Sequence, residues 1–349
     1  MQSLILFIFV ILTLNLHSES SKKFIIQLDN DFFLNEDEDY TNGLRLASMH
    51  EKSSDAEADT LLEATLKNLS GINSDSSLNQ YRNRGSGLTR YAGGSGITQL
   101  MFTPTDSTAL VPPVGERPYA GWLGLEFTLQ LKNNQSVSGV TLTLGTTGKA
   151  SLAEKTQDWV HEHVTAKSHL FKGWDSQVPE EVTINLHFDH KHKLPIDAWT
   201  HNFPIKLDGY HEWGAAIGNF QTNAYLGLLV RSGYNLSPSF VTPRLQIGSY
   251  AHDLFKAEDQ GTNRFSIYTY AGVRGTAVLH DITLNGPVFR SYKYSVDNEP
   301  LVGEALVGYG LSWKQFELSH SLTYRTREFK GQIKQHPFGS ILLRFSSPF

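Results

Sequence analysis

The stretch from Trp122 to Leu131, WLGLEFTLQL, decides the fold. Leu123, Leu125, Phe127, Leu129 and Leu131 fall on one parity, and Trp122, Gly124, Glu126, Thr128 and Gln130 on the other. A strict period of two is the pattern of a strand with one apolar and one wet face. The alternation recurs downstream: Val140, Leu142 and Leu144 against Thr141, Thr143 and Gly145, then Val182, Ile184, Leu186 and Phe188 against Thr183, Asn185, His187 and Asp189. Further alternating segments cover 24–30, 43–49, 222–231, 265–273, 305–313, 316–324 and 341–349. With weaker ones near 97–103 and 205–218, the count is about twelve.

Soluble sandwiches alternate as well, so the choice rests on two further features. The wet set, rich in Thr, Gln, Asn, Glu and Gly, is too polar for a sandwich core, whereas a membrane barrel carries its apolar face outside and tolerates polar residues within. The last strand ends on an aromatic, with Ile341, Leu343, Phe345 and Phe349 on one parity and Ser340, Arg344 and Ser346 on the other. Such terminal strands resemble the assembly signal of bacterial outer-membrane proteins. At the other end, the apolar run Leu4–Leu16 is followed by Ser18 and Ser20. It is shorter than the roughly 20 residues that span a bilayer and fits an export signal cleaved after about residue 20, although no Lys or Arg precedes it. The expected organisation is a signal peptide over 1–20 and a single barrel domain over 21–349, with a long periplasmic connection over 51–96. The fold class is all-β: an antiparallel 12-stranded transmembrane β-barrel in the outer membrane.

Composition agrees. The 349 residues include no cysteine, which excludes disulfides and thiolate-ligated zinc, and a net charge of -5 argues against a nucleic-acid binder. The 29 glycines, 20 phenylalanines and 14 tyrosines suit strands and turns. No second domain is marked, and a monomer is expected.

Connections locate the chemistry. Asn133–Ser136 and Gly218–Gln221 read as tight turns, whereas 51–96 and 145–181 are long. The first long connection has a helix-like stretch, Ala56–Leu69, and a Gly/Ser/Asn-rich tail. In the second, Ser151 and Glu154 have the spacing of a capping box, which predicts a short helix between strands 5 and 6. Polar clusters at Leu28–Asp31, at Asp39–Gly43, at Glu116–Trp122 and at Gln157, His161 and Gly173–Gln177 all fall at odd-to-even connections. In an up-and-down barrel these share one rim, which faces the cell exterior if the N-terminus stays in the periplasm. Carboxylate and carboxamide oxygens suit Ca²⁺, and an imidazole suits general-base work. Glu154, Gln157 and His161 would share one helix face. Residue types alone leave a bland reading open, in which these clusters are turn chemistry and a solvated loop histidine.

Other clusters are weaker. His187 and Asp189 point to one side of a strand and His190 and His192 to the other, so the four cannot chelate one ion. No nucleophile elbow occurs, and the glycine-rich 85–96 opens no helix that would make a phosphate loop. Ser151 and His161 would lie about 15 Å apart along a helix.

The clusters together resemble the lipid A 3'-O-deacylase family of Gram-negative outer membranes. The resemblance rests on N-D-F-F at Asn30–Phe33, D-Y-T-N-G at Asp39–Gly43, F-T-P at Phe102–Pro104, R-P-Y-A-G-W at Arg117–Trp122 and Q-D-W-V-H at Gln157–His161. G-W-D-S-Q at Gly173–Gln177 and R-E-F-K-G-Q at Arg327–Gln332 complete an ordered set across the mature chain. It implies a 12-stranded barrel that removes the 3'-linked acyloxyacyl group of lipid A in a Ca²⁺-dependent hydrolysis. By the same resemblance His161 is the catalytic histidine, Asn30 and Asp31 hold Ca²⁺, Thr41 is the strand 2 threonine, and Arg117 and Tyr119 are candidate substrate contacts. The family's glutamate after the histidine is unmatched in Val164–Lys167, as is its lysine between strands 3 and 4, so either Glu154 and Arg117 substitute or metal binding and phosphate contact differ. Two other classes compete: a passive pore or adhesin, and an outer-membrane phospholipase A.

Overall fold

The computed structural model describes residues 22–30, 39–51, 90–106, 108–132, 135–163, 171–200, 202–236, 265–333, 335 and 337–347. The signal segment, the helix-like stretch 56–69 and Asp31 lie outside these residues, and of Thr41 only the backbone is described. Twelve antiparallel strands close into one barrel. They are β1 (Lys22–Asn30), β2 (Asp39–Glu51), β3 (Arg90–Thr103), β4 (Ala120–Lys132), β5 (Ser136–Thr147) and β6 (Val182–Lys193) in the first half. β7 (Ile205–Gly218), β8 (Gln221–Tyr234), β9 (Ser266–Asp281), β10 (Leu301–Trp313), β11 (Phe316–Arg325) and β12 (Phe338–Ser347) complete it. Each strand pairs with its sequence neighbours, and β12 returns to β1 from Lys22↔Ser347 to Asn30↔Gly339, so no edge is left open.

The parity read from Trp122–Leu131 becomes the two sides of the wall. Phe127, Leu144, Ile184, Leu226, Val307 and Leu343 point outward and are exposed, as lipid-facing residues must be. The opposite parity fills the bore with paired charge. Arg45 makes a two-pronged contact with Glu126, at 3.1 Å for each prong, and also reaches Gln27 and Thr98. Lys191 meets Asp189 at 2.7 Å, Arg231 meets Asp208 at 2.6 Å, and Arg344 pairs with Glu317. Buried charges persist where each has an opposite partner and further hydrogen bonds.

At the rim of the odd-to-even connections Leu100, Phe102, Trp122, Val178, Phe220 and Phe338 pack in an apolar cluster, joined by Ala120 and Ile282. Trp122 lies flat over Gly124 and Gly145 and donates its indole N–H to Thr183 at 2.8 Å. A Cβ on either glycine would stand under 3 Å from that ring, so both positions need the bare backbone. Glu181 fastens the loops above: it accepts from Asn219 Nδ2 at 2.8 Å, from Val288 N at 3.3 Å and from Phe289 N at 3.1 Å.

Two sequence expectations need correction. β3 starts at Arg90, so Gly93, Gly94 and Ser95 of the supposed loop tail are strand, paired with both β2 and β4. Small residues have weak strand propensity, and pairing on both sides overrides it. The helix between β5 and β6 exists as α1 (Ala153–His163), but Ser151 does not form a capping box with Glu154. A 3₁₀ turn over Gly148–Ser151 and a left-handed Leu152 (φ 59°) come first. Ser151 Oγ donates to Gly148 O at 2.6 Å and accepts from Ala153 N at 3.4 Å, so it staples the turn to the helix start.

Candidate active site

All odd-to-even connections lie at one rim, and α1 belongs to it. Its side of the wall follows from the register. On β1 and β2 the lumen-facing residues are Gln27, Asp29 and Arg45, so Asn30 and Asn42 face outward. Asn30 pairs with Asn42, Asn42 with Met101, and Met101 with Gly121. These four positions form one row across the outer face of β1 to β4, at the rim.

The helix is docked on the β3–β4 end of that row. A Cβ on Gly121 would stand 2.2 Å from Ser151 Oγ and 2.5 Å from Ala153 Cβ, so the glycine is the seat of the helix start. Gln99, outward-facing on β3, donates to Ser151 O at 2.7 Å. Met101, Tyr119, Ala153, Phe171 and Trp174 pack together around the joint, with the Tyr119 and Trp174 rings 5.4 Å apart. Trp174 also donates its indole N–H to Gln157 Oε1 at 2.8 Å, while Gln157 Nε2 stays buried with no hydrogen-bond partner.

His161 follows Gln157 by four residues and so shares its face, which looks toward the wall. The imidazole meets the edge of the Phe171 ring at 5.6 Å, and Phe171 packs in the cluster that holds Met101, the register partner of Asn42. His161 and the Asn30–Asn42 pair therefore lie at one rim and on the outer side of the wall, and the corner between α1 and β1–β2 is the candidate site. Asn42 Oδ1 is buried there and has no hydrogen-bond partner. The outer stripe of α1 is different in kind: Trp159 is exposed and stacks on His163.

Arg117 and Tyr119 sit within the packing of the rim, at 1% and 0% exposure. The Arg117 guanidinium covers the Phe102 ring at 4.6 Å and reaches Glu328 at 3.4 Å, and Glu328 in turn pairs with Arg325 at 2.7 Å. Burial pushes the Tyr119 phenol up to about 12, so it stays neutral. At the exposed edge, Lys149 pairs with Asp175 at 2.9 Å and holds that carboxyl below its usual range.

Sequence reasoning passed over Asn42, Gln99 and Phe171. Asn42 read as turn chemistry, and what singles it out is a cross-strand register with Asn30 that no local pattern encodes. Among the described residues no group of three or more His, Asp or Glu is placed to hold a metal ion.

A closed barrel with paired charge in its bore and a helix clamped to its lipid-facing side defines an integral outer-membrane barrel. The family of outer membrane protein LpxR matches residues 4–347, and the chain belongs to it, among the lipid A deacylases of the bacterial outer membrane. LpxR from Salmonella typhimurium is similar in structure, with a TM-score of 0.68 and 17% identity over 93% of this chain and 99% of that one. The β domain of the Bordetella autotransporter BrkA (TM-score 0.41, 8% identity, 95% of this chain and 100% of that one) and the translocator domain of NalP from Neisseria meningitidis (0.37, 9%, 100% and 95%) are too distant to bear on the site. No curated protein sequence matches the chain.

Proposed function

We propose that the protein hydrolyses the 3'-linked ester of lipid A in a Ca²⁺-dependent reaction at the corner between α1 and the outward face of β1 and β2. The observation that carries this reading is the docking of α1. It sets His161 on the wall-facing side of the helix, at the same rim and on the same side of the wall as Asn30. Acyl chains of an outer-leaflet lipid lie against that wall, and its sugars and phosphates sit at rim height, so the substrate reaches the corner without leaving the membrane.

His161 takes a proton from water as the oxygen attacks the ester carbonyl. The imidazolium then returns the proton to the 3' oxygen as the acyl C–O bond breaks, which yields a free acid and a 3'-hydroxyl. Carboxamide and carboxylate oxygens are the hard donors that Ca²⁺ prefers, and Asn30 and Asp31 are the residues that would hold it. Bound there, Ca²⁺ supplies Lewis acidity for the oxyanion. Thr41 belongs to the same end of β2. Arg117 and Tyr119 shape the rim beneath the substrate, and Glu154 on α1 is the carboxylate that would stand in for the family's unmatched glutamate.

The packed bore disfavours a pore, and Ser151, committed to Gly148 and Ala153, disfavours a serine phospholipase. Expression in a host with hexa-acylated lipid A, read by mass spectrometry, tests the proposal. Wild type is expected to release the 3' chain, and His161→Ala to leave lipid A intact on a folded barrel. Acyl loss persisting in His161→Ala would remove the base assignment, and ion conductance without acyl loss would favour the pore.

A further inference from the structure

We infer that Asn42 is an additional oxygen ligand of the cation held at this corner, an inference that rests on the functional reading above. Several buried polar atoms in the strands lack a hydrogen-bond partner, among them Gln27 Nε2, Gln130 Oε1 and Thr143 Oγ1, and these face the bore. There a buried water is an ordinary partner. Asn42 Oδ1 is the exception in position, because its residue belongs to the outward parity of β2. A carboxamide acceptor buried without a partner costs free energy unless a ligand completes it.

Register says which ligand. Asn42 is the direct cross-strand partner of Asn30, and directly opposed antiparallel residues have Cα atoms about 4.5–5.5 Å apart with side chains on the same face. Two carboxamides at that spacing can turn their oxygens onto one ion at the roughly 2.3–2.6 Å that Ca²⁺ requires. The irregularity in β2–β3 pairing between Asp39 and Asn42 fits the same role, since bulges re-aim side chains next to active sites. Asn42 thus adds a neutral donor beside Asn30, and it touches the metal without exchanging protons.

Calcium titration calorimetry on the full-length, detergent-folded and chelator-stripped protein tests this without reference to turnover. Asn42→Ala is expected to weaken Ca²⁺ binding by about tenfold or more, and Asn42→Asp, which adds charge to the ligand set, to tighten it. His161→Ala is expected to bind Ca²⁺ as wild type does, and Asp31→Ala to lose it. If Asp31→Ala loses Ca²⁺ while Asn42→Ala matches wild type, the Asn42 assignment falls and the Ca²⁺ site stands. If wild type binds no Ca²⁺, both fall. Should Asn42→Ala fail to fold, Asn42→Asp decides, and affinity equal to or weaker than wild type overturns the inference.

Discussion

The bore and the lipid-facing corner are both polar, and their polarity has opposite meanings. Inside, Arg45 binds Glu126, with Gln27 and Thr98 drawn into the same network, and Glu317 binds both Tyr268 and Arg344. The ion pairs there set charge against counter-charge. Outside, at the corner, Asn30, Asn42 and Gln99 interrupt an otherwise apolar face. One of these serves structure, as Gln99 holds the turn before α1, and another keeps a buried oxygen without a partner. In the bore a leftover polar atom can take a buried water, whereas one on the lipid-facing side marks where something else binds.

The sharpest way to break this contrast is to unpair the bore. Arg45→Met leaves Glu126 buried without its cation and is expected to destabilise the barrel by about 3–5 kcal/mol, measured by urea denaturation in micelles. Pairing it with Glu126→Leu should recover most of the loss, and a double variant as weak as the single would show that the charges do more than fill. Next in size is the corner. Gly121→Val places a side chain where Ser151 and Ala153 sit, at an expected cost of about 1–3 kcal/mol of overpacking. The barrel should keep its heat-dependent gel migration while lipid A deacylation falls, and full activity would mean that the seat of α1 does not matter.

A smaller change tests how tightly the helix is held. Trp174→Phe removes the indole N–H that Gln157 accepts and should lower stability by about 1 kcal/mol, with a larger proportional loss of acyl release than of barrel stability. The smallest effect is expected at the exposed Lys149–Asp175 pair. Lys149 depresses the Asp175 carboxyl, so any contribution is present above the ordinary value of 3.8 and fades as pH falls through the lowered one. Lys149→Ala should melt with wild type at neutral pH, and a clear drop there would mean that the rim depends on its surface ion pair.

The sequence made much of this legible, because period two is a local signal that survives without tertiary information. Trp122–Leu131 announces both its faces, and the ordered motifs place His161 and Asn30 in connections of one rim. What it could not carry is non-local. Gly93–Ser95 look like a loop until β2 and β4 pair with them. The helix over 153–163 can be anticipated from its own residues, but its side of the wall depends on the absent Cβ of Gly121, some thirty positions away. Asn42 gains meaning only from standing opposite Asn30.

Seating the helix against Gly121 on the outer surface also sets the dimensionality of the encounter. Enzyme and substrate diffuse in the same sheet, so turnover follows the number of lipid A molecules per unit area and not their molarity. Diluting the cells leaves the rate untouched, and crowding the leaflet with a non-hydrolysable analogue slows it.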